Sequence, residues 1–471
     1  MARAEAPDVA APSGRRPGDL ADGNLWLHFT RTSDWIGPEP SVPILDRGEG
    51  CYLWDTTGKR YLDGLSALFC VQVGYGRPEM PEAAARQMTK LPYATNWATA
   101  HQPAIDLAQR LAGIFPGDLN HLFFVNSGSE AVESALKLGR QYHQARGEAG
   151  RYKVISRRAA YHGTTMGAMG VTGIAALTNP YQPLVPGHFH VPTANPYRCG
   201  ASHVCPPCNL ACARSIEQVI EAEGPETVSA VFLEPVQNSG GCFTPPPGYL
   251  EEVRRVCDEH GVLMVLDEVI CAFGRIGAWS GAELYGVTPD VITFAKGVTS
   301  GYAPLGGIAF SDRIAEAFTA TPRSMFMHGS TWGGHPVSCA VAMANLDVIE
   351  KEDLIGNVLR NQAWLYDQLN DLRERHEMVG DVRGTGYFWA LELVADRESK
   401  RSFSDEQAES LLRGFLSPRL LELGLICRAD DRDEPVLQIS PPLIATRTEL
   451  GEMVSILDQA LAESQARMAA S

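Results

Sequence analysis

The chain has 471 residues, 45% hydrophobic and 20% charged, with a formal net charge of −16. That length exceeds one ordinary core and predicts two or three domains. The acidic balance excludes nucleic acid or an anionic membrane as the main partner, and no apolar run approaches the ~20 residues that span a bilayer.

Residues 1–20 are rich in Ala, Pro and Arg and lack the apolar centre of a signal peptide, so they read as a disordered tail on a cytoplasmic protein. Residues 50–55 and 60–63 alternate apolar and polar around Thr56-Thr57-Gly58, the pattern of a β-hairpin. From about residue 103 the pattern changes. Leu107, Leu111 and Ile114 at helical spacing lead into the apolar run 122–125, and another helix begins near Ser129. Further apolar runs recur at 153–155, 228–236, 262–269, 291–295 and 307–310, with helical stretches such as 249–260 between them. Strands alternating with helices predict an α/β fold whose mostly parallel sheet is covered on both faces.

From about Glu352 the chain reads as a smaller α+β unit. Its last helix opens with a capping box, Thr446 and Glu449, and carries the apolar stripe Leu450, Met453, Val454, Leu457 and Leu461. The expected organisation is therefore a tail at 1–20, a segment at 21–75 that joins the small domain, a large domain at 76–335 and the small domain proper at 336–471.

Two charged residues close apolar runs. Asp267 ends Val265-Leu266-Asp267, and Lys296 follows Phe294-Ala295. Ligands of open α/β sheets bind beyond the carboxyl ends of the strands, so this pair can flank one ligand. Pyridoxal phosphate needs such a pair: an amine for its aldehyde and an anion that keeps its ring nitrogen protonated. Ser127-Gly128-Ser129-Glu130 joins an apolar run to a helix, where small residues and the helix dipole favour a phosphate on Gly128 and Ser129. Tyr161-His162-Gly163 offers an aromatic face to the ring, and Glu234-Pro235-Val236-Gln237 ends a strand at the same edge. Singly, each is as well read as a helix cap, a core tyrosine or a charged strand end; together they form one set of handles.

With these motifs the sequence resembles the class III (omega-type) aminotransferases of the fold-type I pyridoxal-phosphate family, from about Leu27 to the last helix. The segment from Asp267 through Glu268, Val269, Ile270, Cys271, Ala272, Phe273 and Gly274 to Arg275 is close to the signature of the branch using pyruvate as acceptor, which usually has glycine at the position of Ala272. The run from His328 to Pro336 is also similar, although the family usually has an aromatic at Ser330 and tyrosine at Trp332.

The resemblance implies a large domain with a mostly parallel seven-stranded sheet plus a smaller α+β domain. It implies Lys296 as the Schiff-base lysine and Asp267 as the partner of the ring nitrogen. Val269 would lie on the ring face opposite Tyr161, Glu234 would join the cofactor contacts, and Gly128 and Ser129 would hold the phosphate. Thr331 would reach the phosphate of a neighbouring subunit, which makes the enzyme a homodimer or tetramer.

The implied reaction is ping-pong transfer of an amino group from an omega-amino acid, diamine or primary amine to a keto acid, with pyruvate foremost. A racemase or aminomutase of the same fold is the alternative. Arg428 matches the family's mobile, carboxylate-binding arginine, whereas Arg432, in an acidic loop, reads as solvated. Phe69, Trp97, Tyr161 and Ser239, with Phe29, are the implied pocket walls. Phe69 stands where relatives commonly carry tryptophan, and Asn238-Ser239 replaces the usual Gly-Ala, which shifts the expected donor toward polar amines.

The 11 cysteines are an odd number, as a reducing compartment permits. Four of them, Cys199, Cys205, Cys208 and Cys212, fall in one short stretch with enough thiols for a structural zinc.

Overall fold

A computed structural model describes residues 23–36, 42–199, 209–321, 323–430, 432 and 434–469. The tail expected at 1–20 lies outside these residues. The chain divides into two compact units, one of residues up to 47 with 53–60, the other of 48–52 with 61–471.

In the first unit Trp26 meets Trp35 edge-on, with ring centroids 5.9 Å apart. The expected turn at 56–58 is present because the Asp55 carboxylate accepts from Thr57 N (2.9 Å) and Lys59 N (3.0 Å), an aspartate folding the backbone beyond it.

The second unit is organised by a large sheet. Among the described residues it has seven strands: β1 (His121–Val125), β2 (Lys153–Arg157), β3 (His188–Val191), β4 (Val228–Leu233), β5 (Leu263–Asp267), β6 (Val291–Phe294) and β7 (Gly306–Phe310). Their spatial order is β1-β7-β6-β5-β4-β2-β3. Strands β4, β5 and β6 are buried at every position, which explains their unbroken apolar sequence. The β3–β2–β4–β5–β6 pairings are parallel, while β7 runs antiparallel to both β6 and β1. Strand β1 therefore points the same way as β6, and the chain leaves β1, β2, β4, β5 and β6 at one edge. Helix α1 (Gly128–Ala145) starts there and buries Ala131, Val132, Ala135 and Leu138. Helix α2 (Tyr249–His260) leads into β5 as the periodicity predicted.

Six of the strands coincide with apolar runs of the sequence. The seventh, β3, carried no such signal: it is a half-buried edge strand with histidines at alternate positions.

Helix α3 (Pro336–Lys351) precedes helix α4 (Leu354–Arg375), which packs on β8 (Val379–Thr385). Strand β8 belongs with β9 (Phe388–Leu393), β10 (Arg428–Asp430) and β11 (Val436–Ile439) to an antiparallel sheet of order β8-β9-β11-β10. Helix α5 (Arg447–Ala469) buries the whole stripe Leu450, Met453, Val454, Leu457 and Leu461. The Glu449 carboxylate accepts from Thr446 N at 2.8 Å, and the Thr446 hydroxyl accepts from Thr448 N at 3.2 Å. No helix among the described residues is long and apolar enough to cross a membrane.

Candidate active site

The carboxyl-end edge of the large sheet holds a cleft lined by Ser127, Gly128, Ser129, Tyr161, His162, Gly163, Glu234, Asp267, Val269, Ile270, Cys271 and Lys296. Of the residues expected to hold a cofactor, the cleft gathers Gly128, Ser129, Tyr161, Glu234, Asp267, Val269 and Lys296.

One wall is the start of α1. Ser127 is its N-cap, with Oγ accepting from Glu130 N at 3.3 Å. The Glu130 carboxylate turns back to accept from Asn126 N and Nδ2 at 2.8 and 2.9 Å. The cap leaves the first-turn amides of Gly128 and Ser129 at the cleft, where the helix dipole favours an anion. Gly128 must be small: a Cβ there would lie 2.9 Å from Val269 Cγ1. Gly163 has φ +125°, and its Cβ would come within 2.5 Å of Ser129 Oγ, the same hydroxyl that accepts from Thr164 N at 3.2 Å. The 127–129 and 161–164 loops are thus locked together.

Asp267 ends β5 and is nearly buried. His162 Nδ1 donates to its Oδ2 at 2.7 Å, while its Oδ1 accepts from Thr293 Oγ1 at 2.9 Å and Val269 N at 3.2 Å. Three donors on one carboxyl suit the ionised, acceptor-only form. Glu234, beyond β4, accepts from Tyr161 N (3.3 Å) and Asn238 N (2.9 Å). Burial pushes its carboxyl above the usual range, and the neighbouring Asp267 adds to this, while His162 and Arg157 pull it down. The adjacent Glu268 points away from these groups and braces a neighbouring turn. It accepts from Gly281 N and Ala282 N, both at 2.8 Å, and burial pushes it up to about 7.

Lys296 adopts left-handed backbone geometry, φ +46°. For a side chain with a Cβ this costs of order 1–3 kcal/mol and persists only where surroundings enforce it. Here Asn345 of α3 donates to the carbonyls of Gly297 (2.9 Å) and Val298 (3.0 Å), clamping the turn that presents the lysine.

Arg275, at the end of the signature segment, is fully buried away from the cleft. It donates to the carbonyls of Pro441 and Tyr387 and to Ser66 and Gln72, and burial lowers it to about 9. This knot anchors the segment that carries Phe69.

The other expected residues are not part of the cleft lining. Phe69 is buried, edge-on to Phe388 (5.6 Å), in the apolar cluster that contains Ile270 and Cys271. It lies behind the lining and not on it. Trp97 is 65% exposed, and its ring covers Gly329 closely enough that a Cβ there would sit 2.8 Å away. Thr331 is exposed and outside the cleft lining, its carbonyl accepting from Tyr93 Oη at 2.6 Å. Phe29, in the first unit, is exposed. Ser239 is buried, with no partner for its Oγ among the described residues.

Burial raises the Tyr161 phenol, while Arg432 and, less strongly, Arg428 pull it back. Arg432 is not simply solvated, as its acidic loop implied: it is half-buried, with its guanidinium carbon 6.0 Å from the Tyr161 ring centroid. Cys199 and Cys212 are described, but Cys205 and Cys208 lie outside the described residues, which contain no cluster of three or more metal-binding side chains.

Sequence reasoning missed His162, Thr293 and Asn345. His162 adjoins Tyr161 in a motif already noted, whereas Asn345 lies within a helix and carries no local signal.

The arrangement fits pyridoxal phosphate: a capped helix start trimmed by Gly128 and Gly163, an aromatic ring, a triply bonded aspartate and a lysine share one cleft. Comparison with known proteins agrees. The family model for class-III aminotransferases matches residues 37–461. A probable aminotransferase of Mycobacterium tuberculosis is 50% identical over 441 residues, covering 94% of this chain and 93% of the relative. A putrescine–pyruvate aminotransferase of Pseudomonas aeruginosa is 36% identical, covering 92% and 93%. The crystal structure of an (S)-enantioselective omega-transaminase from Thermomicrobium roseum superposes with a TM-score of 0.88 at 39% identity, covering 94% of this chain and 98% of that one. The chain belongs to the class-III aminotransferase family and is a pyridoxal-phosphate-dependent aminotransferase.

Proposed function

We propose that this aminotransferase moves the amino group of an omega-amino acid, diamine or primary amine to a keto acid, pyruvate foremost, in two half-reactions that share one site. The observation that carries the reading is the convergence of Lys296, Asp267 and the start of α1 on a single cleft. The family match and the pyruvate-using relative favour transfer over isomerisation.

The cofactor, when bound, supplies an aldehyde carbon that takes up the amino group and a ring that withdraws electrons from the bond being broken. Asp267, itself held by His162 and Thr293, would keep the proton on the ring nitrogen. Gly128 and Ser129 would hold the phosphate, and Tyr161 and Val269 would hold the ring. Glu234, bonded to Tyr161 N and Asn238 N, fixes the two loops beside the ring. Lys296 Nζ would hold the cofactor's aldehyde, and its free amine is placed to take a proton, as a general base, from the donor carbon that bears the amino group. Arg428 binds the keto acid's carboxylate, while Phe69, Trp97 and Ser239 shape the substrate side.

Thr331, exposed and outside this cleft, serves the phosphate of a second subunit, so the working enzyme is a homodimer or tetramer in the cytoplasm. In this reading residues 76–335 form the cofactor domain, and 21–75 with 336–471 form the small domain. The four thiols of Cys199, Cys205, Cys208 and Cys212 hold a structural zinc, which metal analysis of purified protein would detect near one equivalent per chain.

The experiment is a spectrum of cofactor-loaded enzyme with one amine donor and no acceptor. The expected result is stoichiometric loss of the aldehyde absorbance and its return on adding pyruvate. Persistence of that absorbance while the donor is isomerised would overturn the reading.

A further inference from the structure

We propose that Ser330, acting through Asn126, is a positioning residue for the cofactor's phosphate: it fixes the turn between β1 and α1 on which Gly128 and Ser129 would hold that group. The proposal rests on the cofactor reading above and deepens it.

Asn126 stands between β1 and α1, and its side-chain amide has two hydrogens to place. One goes to the Glu130 carboxylate at 2.9 Å, which also accepts from Asn126 N at 2.8 Å. The other goes to Ser330 Oγ at 2.8 Å, from a segment 204 residues along the chain. The first bond is internal to the start of α1, so it cannot set where that start lies. The second can.

The same segment meets α1 again one turn further on. The Ser134 hydroxyl donates to Glu130 O at 2.7 Å, so it accepts from His328 Nε2 at 3.0 Å. His328 Nδ1 is then the acceptor that faces Lys137 Nζ at 3.4 Å. The His328 ring also stacks on Phe123 of β1, with centroids 5.4 Å apart. Beyond it, Gly333 lies so close to β1 that a Cβ would come within 2.4 Å of Phe124 O. Residues 328–333 are thus fitted against β1 and the first turns of α1, and Ser330 is the point where they grip the phosphate turn.

Residue 330 is also where this chain departs from the family's usual aromatic, and a ring there places no hydroxyl beside Asn126. Without that acceptor the half-buried amide turns toward water, and the amides of Gly128 and Ser129 shift with it through the shared Glu130 carboxylate. The phosphate feels this shift. The ring nitrogen and aldehyde do not, because Asp267 and Lys296 come from β5 and from the turn after β6.

The test is equilibrium dialysis of the full-length chain against pyridoxal phosphate and, in parallel, against pyridoxal, which lacks the phosphate. Ser330→Ala is expected to raise the dissociation constant for pyridoxal phosphate about threefold to tenfold, the scale of one hydrogen bond, and to leave that for pyridoxal within about twofold. Ser330→Thr keeps the hydroxyl and should keep the wild-type affinity. In an Asn126→Ala background Ser330→Ala should add nothing, because the two residues act through one bond. Equal losses for both ligands, an unchanged constant, or additive effects of the two substitutions would overturn the proposal. Ser129→Asp tests the underlying reading: the start of a helix tolerates an aspartate, but its charge repels a phosphate held there. If Ser129→Asp weakens pyridoxal phosphate selectively and Ser330→Ala does not, only the role of Ser330 fails. If Ser129→Asp has no phosphate-selective effect, the placing of the phosphate on α1 fails, and the proposal falls with it.

Discussion

The floor of the cleft and its rim are built on different principles. On the floor, Asp267, His162 and Glu234 are buried, and two or more hydrogen bonds fix each carboxyl. On the rim, Trp97 is exposed, and Arg428 is half-buried on a strand of three residues. Where a reacting group needs one geometry, the ends of buried parallel strands supply it. Where substrates of different shape enter, side chains on short strands and loops can move at small cost. Mutations should therefore act on turnover at the floor and on KM or donor choice at the rim.

The largest effect is expected at Lys296. Lys296→Ala should lower kcat by at least about a thousandfold, the scale of a lost general base, read by single-turnover kinetics; unchanged activity would move the base elsewhere. Asp267→Asn comes next, at about a hundredfold to a thousandfold, because a fixed charge opposite the ring nitrogen is lost. A loss in KM alone would show that Asp267 only binds. His162→Phe removes one donor from Asp267 while keeping bulk in the pocket. About a tenfold fall in kcat is expected, with a shifted pH profile that a purely structural change would leave in place.

The smallest effect concerns stability. Glu268 titrates at about 7 when folded, above the 4.5 of an ordinary glutamate. The unfolded chain therefore binds fewer protons between those values, and stability falls as pH rises through that window. Glu268→Gln should flatten this slope in denaturant unfolding at pH 5 and pH 8. An unaltered slope would mean that Glu268 stays ionised.

The floor was largely legible in the sequence because it is local. Asp267 and Lys296 close apolar runs, and Ser127-Gly128-Ser129 stands between a strand and a helix. What the sequence hid depends on residues distant in the chain. His162 reaches Asp267, Asn345 enforces the backbone of Lys296, and Arg275 bonds across to residues 66, 72, 387 and 441. The rim was the less legible part. Arg432 sits among acidic neighbours and reads as a solvated loop residue until the fold brings it to Tyr161. Strand β3 was invisible for a related reason: at a sheet edge, histidines replace the apolar pattern that marks buried strands.

The assignment of Lys296 is tested most directly by borohydride reduction of the cofactor-loaded enzyme followed by peptide mass mapping. One reduced cofactor adduct per chain is predicted, on the peptide that carries Lys296. An adduct on another lysine, or none, would contradict the role of Lys296 as the residue that holds the cofactor's aldehyde.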